Sequence, residues 1–160
     1  MSEGLGGDRD SRPDHPFSSP DAPDSVPANG ADPQQLYQRG LDLLGRGSPA
    51  AAAQLLERAA AAEPRSRSVL EALARAQFDA GQYAAAAGNF RLIVDASPTD
   101  DYAQFGLGLA LSRTGDHGAA AEHLARAAAM RPNLRHYTDA LRHVRATLRA
   151  RAELRKGTTD

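Results

Sequence analysis

From Leu36 almost to the C-terminus, apolar residues recur at helical spacing, and the recurrence is broken at regular intervals. Asp32-Pro33 opens it as an N-cap followed by proline at the first helical position. Pro64, Pro98 and Pro132 stand 34 residues apart. So do Gly47, Gly81 and Gly115; Gly40, Ala74 and Gly108; Ala52, Ala86 and Ala120; and Leu56, Phe90 and Leu124. Columns sharing one period mark an internal repeat. Glycine accepts the left-handed conformation that closes a helix, so Gly47, Gly81 and Gly115 end the first helix of each unit. Proline cannot continue a helix, so the proline column follows the second. Small residues at matched heights let paired helices approach closely. Leu56, Phe90 and Leu124 are expected to fill the space between one unit and the next.

The spacing predicts helix pairs over 33–46 with 49–62, 67–80 with 83–96, and 101–114 with 117–130, in repeats 33–66, 67–100 and 101–134. Ser48-Pro49 reads as a second N-cap and first-turn proline. A further helix is expected over 133–156. There Leu134, Tyr137, Leu141, Val144 and Leu148 form one apolar stripe, and Arg135, Arg142, Arg145, Arg149 and Asp139 occupy the other faces. It caps the array by giving the last unit a polar outer face. Two buried amides, Gln77 and Gln104, need partners.

Residues 1–31 break the pattern. Five prolines lie among Gly, Ser and Asp, with only Leu5, Phe17 and Val26 as larger apolar groups, so a disordered tail is expected. A short docking motif around Phe17 is the other reading. Residues 158–160 are expected to be disordered too. Charge separates the ends: seven acidic groups against two arginines give −5 over 1–32, and seven basic against three acidic give +4 over 133–160. The whole chain carries −1, so no global field points to nucleic acid or membrane. There is no cysteine, which removes disulfides and thiol chemistry. The first thirty residues hold no apolar run of the signal-peptide kind, and no apolar stretch is long enough to span a bilayer. A cytoplasmic location is expected.

The period and its columns resemble the tetratricopeptide repeat family, over residues 33–132 plus a trailing helix. The resemblance implies an all-α, right-handed α-solenoid of three helix–turn–helix repeats with a capping helix, and a concave face lined by the first helix of each unit. It places Tyr37 and Leu41, then Glu71, Arg75 and Phe78, then Tyr102, Phe105, Leu109 and Arg113 in that groove, with His136, Asp139 and His143 from the capping helix. It implies a non-catalytic adaptor or scaffold that binds a protein or peptide. Tyr37, Phe78, Tyr102, Phe105, Leu41 and Leu109 form an apolar strip suited to an extended peptide or amphipathic helix. Glu71 and Arg75, one turn apart, are expected to pair with each other. Family members that clamp a chaperone's carboxylate tail use Lys and Asn at positions held here by Tyr37, Leu41, Glu71, Arg75, Phe105 and Leu109, so that partner class is not expected.

Other chemistry finds little support. His136, Asp139 and His143 share a helix face, but histidines two turns apart cannot chelate one ion alone, so no metal is expected. His117 and His123 read as exposed, convex-side histidines. Gly106-x-Gly108 lacks the third glycine of a dinucleotide loop. No nucleophile–base set converges, so neither catalysis nor a cofactor is expected. The alternative functions are a self-assembling module, a homodimer through the uncapped first helix or the capping helix, and nucleic-acid or anionic-surface binding through Arg142, Arg145, Arg149, Arg151, Arg155 and Lys156. Nucleic acid is not the expected partner, because such charge more often solvates a cap, or meets the acidic tail.

Overall fold

The computed structural model describes residues 31–159, so the readings of the acidic tail and of Phe17 lie outside it. Seven helices follow in order: α1 (Pro33–Gly45), α2 (Pro49–Ala62), α3 (Arg67–Asp79), α4 (Tyr83–Ala96), α5 (Asp101–Arg113), α6 (His117–Met130) and α7 (Arg135–Gly157). Among the described residues there is no strand. Each first helix ends one residue before the spacing placed it, because a closing turn takes over. Gly47, Gly81 and Gly115 have φ of +76°, +80° and +92°. The next N–H, of Ser48, Gln82 or Asp116, returns to the carbonyl of Leu43, Gln77 or Leu111 at 2.9, 2.8 and 2.9 Å, which satisfies carbonyls a helix end otherwise orphans.

The N-termini are capped unevenly. Asp32 accepts from the Gln34 N–H, Ser66 from Val69, Asp100 from Ala103 and Asp116 from Ala119. Ser48 holds the N-cap place of α2, but its hydroxyl makes no cap hydrogen bond. Pro49, at the first helical position, removes one of the N–H groups that end would leave unsatisfied.

Helices pack on their chain neighbours, and α1 also meets α3, α3 meets α5, and α5 meets α7. The second helices α2, α4 and α6 do not meet one another. A stack whose first helices converge while its second helices diverge is an open arc with α1, α3, α5 and α7 on its inner wall. This is an all-α helical repeat solenoid.

The interior is built by matching small with large. A Cβ on Gly40 would lie 2.6 Å from Leu56 Cγ, and one on Gly108 would lie 2.6 Å from Leu124 Cγ. Both leucines therefore press on the glycine of their own unit and do not fill only the space between units. Phe90 reaches across instead: a Cβ on Gly106, in the next unit, would lie 2.4 Å from its ring. The three triplets are Gly40–Leu56–Ala72, Ala74–Phe90–Gly106 and Gly108–Leu124–Ala140. Where the branched leucine sits, its own unit supplies glycine and the next supplies alanine. Where the flat ring sits, the order reverses.

Both buried amides are satisfied. The Gln77 Oε1 accepts from Asn89 Nδ2 at 2.7 Å. Gln104 Nε2 donates to the Pro98 carbonyl at 2.9 Å, and its Oε1 lies 2.7 Å from His123 Nδ1. Because the amide oxygen can only accept, that imidazole nitrogen carries the proton. His123 is thus a half-buried partner of Gln104 and not the exposed histidine its sequence position suggested. Burial, then the nearby Arg126 and Arg91, hold its pKa below the ordinary histidine value.

The two ends of the stack are polar. In α3 and α5 the residues against the preceding unit are buried: Val69, Ala72, Leu73 and Ala76, then Ala103, Gly106, Leu107 and Ala110. In α1 the same columns hold Gln35, Gln38, Arg39 and Asp42, all exposed. At the other end Tyr137, Leu141 and Val144 of α7 are buried on α5 and α6, and its hydroxyl ties Tyr137 to Asp101 Oδ2 at 2.7 Å. The opposite face of α7 carries Thr138, Arg142, Arg145 and Arg149.

Candidate functional site

The inner wall holds a pocket of about 290 Å³ between α3 and α5. Phe90 and Gly106 make its floor, Phe78, Tyr102, Phe105 and Leu109 its walls, and Arg75 and Asp79 its rim. Gly106 is why the floor exists, since any side chain there would meet the Phe90 ring. The same wall continues into a second recess between α5 and α7, where Leu109 and Arg113 meet Ser112, His117, His143 and Val144.

The aromatic side chains are half-buried, with one edge in the core and one in the pocket. Phe105 stacks on Tyr137 at 4.5 Å with 25° between planes, and meets His136 edge-on at 5.2 Å. Tyr102 meets Phe90 at 6.3 Å and Phe78 meets Tyr83 at 5.0 Å, both in T-shaped contact. These rings serve folding and lining together, where the family resemblance implied the groove. Burial raises the Tyr102 pKa, so its hydroxyl stays neutral and available for hydrogen bonding.

The charged residues are arranged differently from expectation. Glu71 pairs with Arg67 at 2.5 Å and not with Arg75. Arg67 also meets Asp100 at 2.7 Å, which bridges consecutive units. Burial opposes ionisation of Asp100, but the bonds from Arg67 and the Ala103 N–H outweigh it and hold the carboxyl below the usual range. Arg75 is exposed at the rim with no ion-pair partner among the described residues. Arg113 is engaged: its guanidinium lies 5.7 Å over Phe78 and 5.4 Å over Tyr83, and donates to the Tyr83 hydroxyl at 3.2 Å. Its part is to brace the wall.

Of the residues the sequence placed in the groove, Arg75, Phe78, Tyr102, Phe105 and Leu109 converge on one pocket. Tyr37 and Leu41 lie half-buried against the core of the first unit and do not join it. On α7, Asp139 is paired with Arg142 at 2.9 Å. Phe90 and Gly106 were missed as lining residues. The reversed triplet in unit two was the available signal.

A family profile described as tetratricopeptide repeat matches residues 37–101 and 100–134. The chain belongs to that family. No curated protein matches it in sequence. Solved structures share the fold. The first tetratricopeptide domain of Spaghetti (RPAP3) bound to the HSP90 peptide SRMEEVD has a TM-score of 0.68 at 21% identity, over 72% of this chain and 92% of that one. The Sgt2 tetratricopeptide domain from Aspergillus fumigatus has 0.69 at 21%, over 76% and 82%. MamA MSR-1 has 0.71 at 23%, over 79% and 72%. No helix among the described residues is long and apolar enough to cross a membrane.

Proposed function

We propose that the protein is a non-catalytic adaptor or scaffold whose inner wall binds a segment of a partner protein. The occupant seats a large apolar side chain in the pocket between α3 and α5 and places an acidic group against Arg75. One observation carries this reading: an aromatic-walled pocket of about 290 Å³ opens on the concave face beside an arginine with no ion-pair partner among the described residues. The volume suits one aromatic or long aliphatic side chain, and such anchors supply most of the affinity at peptide interfaces. A peptide such as the HSP90 peptide SRMEEVD bound by the RPAP3 domain is disfavoured here, because Tyr37, Leu41, Glu71, Arg75, Phe105 and Leu109 supply neither the Lys nor the Asn of a carboxylate clamp.

Affinity capture with the intact chain and with Arg75→Glu tests the assignment. Arg75 is exposed and has no ion-pair partner among the described residues, so this change leaves the fold alone, unlike truncation of Phe105 or Tyr102, which pack on the core. Partners held by the groove are lost with Arg75→Glu at unchanged melting temperature. Capture that is identical for the two proteins refutes the reading. End-to-end self-assembly has less support: Gln35, Gln38, Arg39 and Asp42 occupy the columns a preceding helix would need to be apolar.

A further inference from the structure

We propose a second docking site, away from the groove, where the α2–α3 turn meets the C-terminal end of α4. Its occupant is a partner segment that presents a large apolar side chain beside a carboxylate. The pocket there encloses about 430 Å³, with Pro64, Leu70, Leu92 and Ile93 as walls and Arg65 and Arg67 at the rim. It shares no lining residue with the groove pocket.

The repeat supplies an internal control. Leu92 is 53% exposed. The same place holds Arg58 in unit one and Arg126 in unit three. The next position holds Ile93 where the other units have Ala59 and Ala127. Across the pocket stands Leu70, where unit three has Gln104 tied to Pro98 and His123. Unit two alone is apolar at all three places; Leu70 and Ile93 are buried at the base of the pocket, and Leu92 is the apolar side chain it leaves open to solvent. About half of the Leu92 surface lies in water, where it contributes no burial energy to this fold. The exposed part of Leu92, at the mouth of the pocket, is therefore suited to cover by something else. Charge narrows the occupant. Arg67 is committed to Glu71 and Asp100, but Arg65 is exposed with no ion-pair partner among the described residues. A cation at the lip of an apolar pocket fits an acidic residue next to the anchoring side chain.

The test uses the full chain, ¹⁵N-labelled, titrated with the acetylated, amidated peptide Gly-Asp-Leu-Phe-Gly and with its Gly-Lys-Leu-Phe-Gly counterpart. Saturable amide shifts at Arg65, Leu92, Ile93 and Ala96 are expected with the aspartate peptide. Leu92→Arg, the residue the sister units use, weakens binding about tenfold or more. Leu92→Ser serves if that variant melts early. Arg65→Glu reverses the preference between the two peptides. Arg75→Glu, in the groove, leaves the binding unchanged. Absence of shifts at these amides with millimolar peptide overturns the proposal, as does equal binding of the lysine peptide or loss of binding with Arg75→Glu. Sedimentation that reports a dimer abolished by Leu92→Arg assigns the surface to a second copy and also overturns it.

Discussion

Replacing Gly106 by alanine is the most incisive test of how the units interlock. The added Cβ would stand 2.4 Å from Phe90 Cζ and 2.5 Å from Cε1. Ordinary carbon contacts lie at about 3.5–4 Å, so ring or helix must give by about 1 Å. Phe90 is buried and edged by Tyr102, which blocks an easy retreat. Overpacking of this kind costs about 1–3 kcal/mol. In a domain of this size that lowers Tm by roughly 3–6 °C per kcal/mol. The decisive variant rebuilds the pattern of the sister units in unit two: Ala74→Gly, Phe90→Leu and Gly106→Ala together. Because Gly40–Leu56–Ala72 and Gly108–Leu124–Ala140 already pack this way, the triple variant should recover to within about 1 kcal/mol of the parent, far from the sum of its parts. Urea unfolding followed by circular dichroism reads all of these. A neutral Gly106→Ala, or a triple variant whose loss equals the sum of the single losses, would refute the interlocking-triplet argument.

Three further outcomes follow from the geometry. Gly115→Ala forces a side chain into φ +92° and should cost about 1–2 kcal/mol, whereas Gly118→Ala, with open space around it and no positive φ, should not destabilise; equal melting temperatures would contradict the closing-turn account. The His123 pKa is lowered on folding, so protonation favours the unfolded chain: its penalty is absent above about pH 6.5 and grows as pH falls from there until the folded-state group is itself protonated. His123→Asn keeps a donor to Gln104 without the charge, and the slope of stability between pH 7 and 5 should flatten; an unchanged slope would place the titration elsewhere. Finally, giving α1 the face that α3 buries against the preceding unit, by Gln35→Val, Gln38→Ala, Arg39→Leu and Asp42→Ala, should create a sticky end and a concentration-dependent oligomer in light scattering. A monomer at all concentrations would mean that polarity at this face is not what terminates the stack.

The sequence by itself determined the number of units, the ends of their helices to within a residue and the small–large columns. Those features are written locally: a glycine forced to positive φ, a proline that cannot continue a helix, a period that puts Gly40, Ala74 and Gly108 at one height. The family resemblance it carries also placed Arg75, Phe78, Tyr102, Phe105 and Leu109, which line the inner pocket, on the concave face. The tertiary structure alone decided what depends on side chains from different helices. It turned Glu71 toward Arg67 and not Arg75, and gave His123 to the buried Gln104. It sent Phe90 into the space left by Gly106 and gathered Leu70, Leu92 and Ile93 around one pocket. Period states where a residue sits on its own helix; which neighbour it meets is set by the crossing of two helices and the shape of each side chain, and no single helix encodes that.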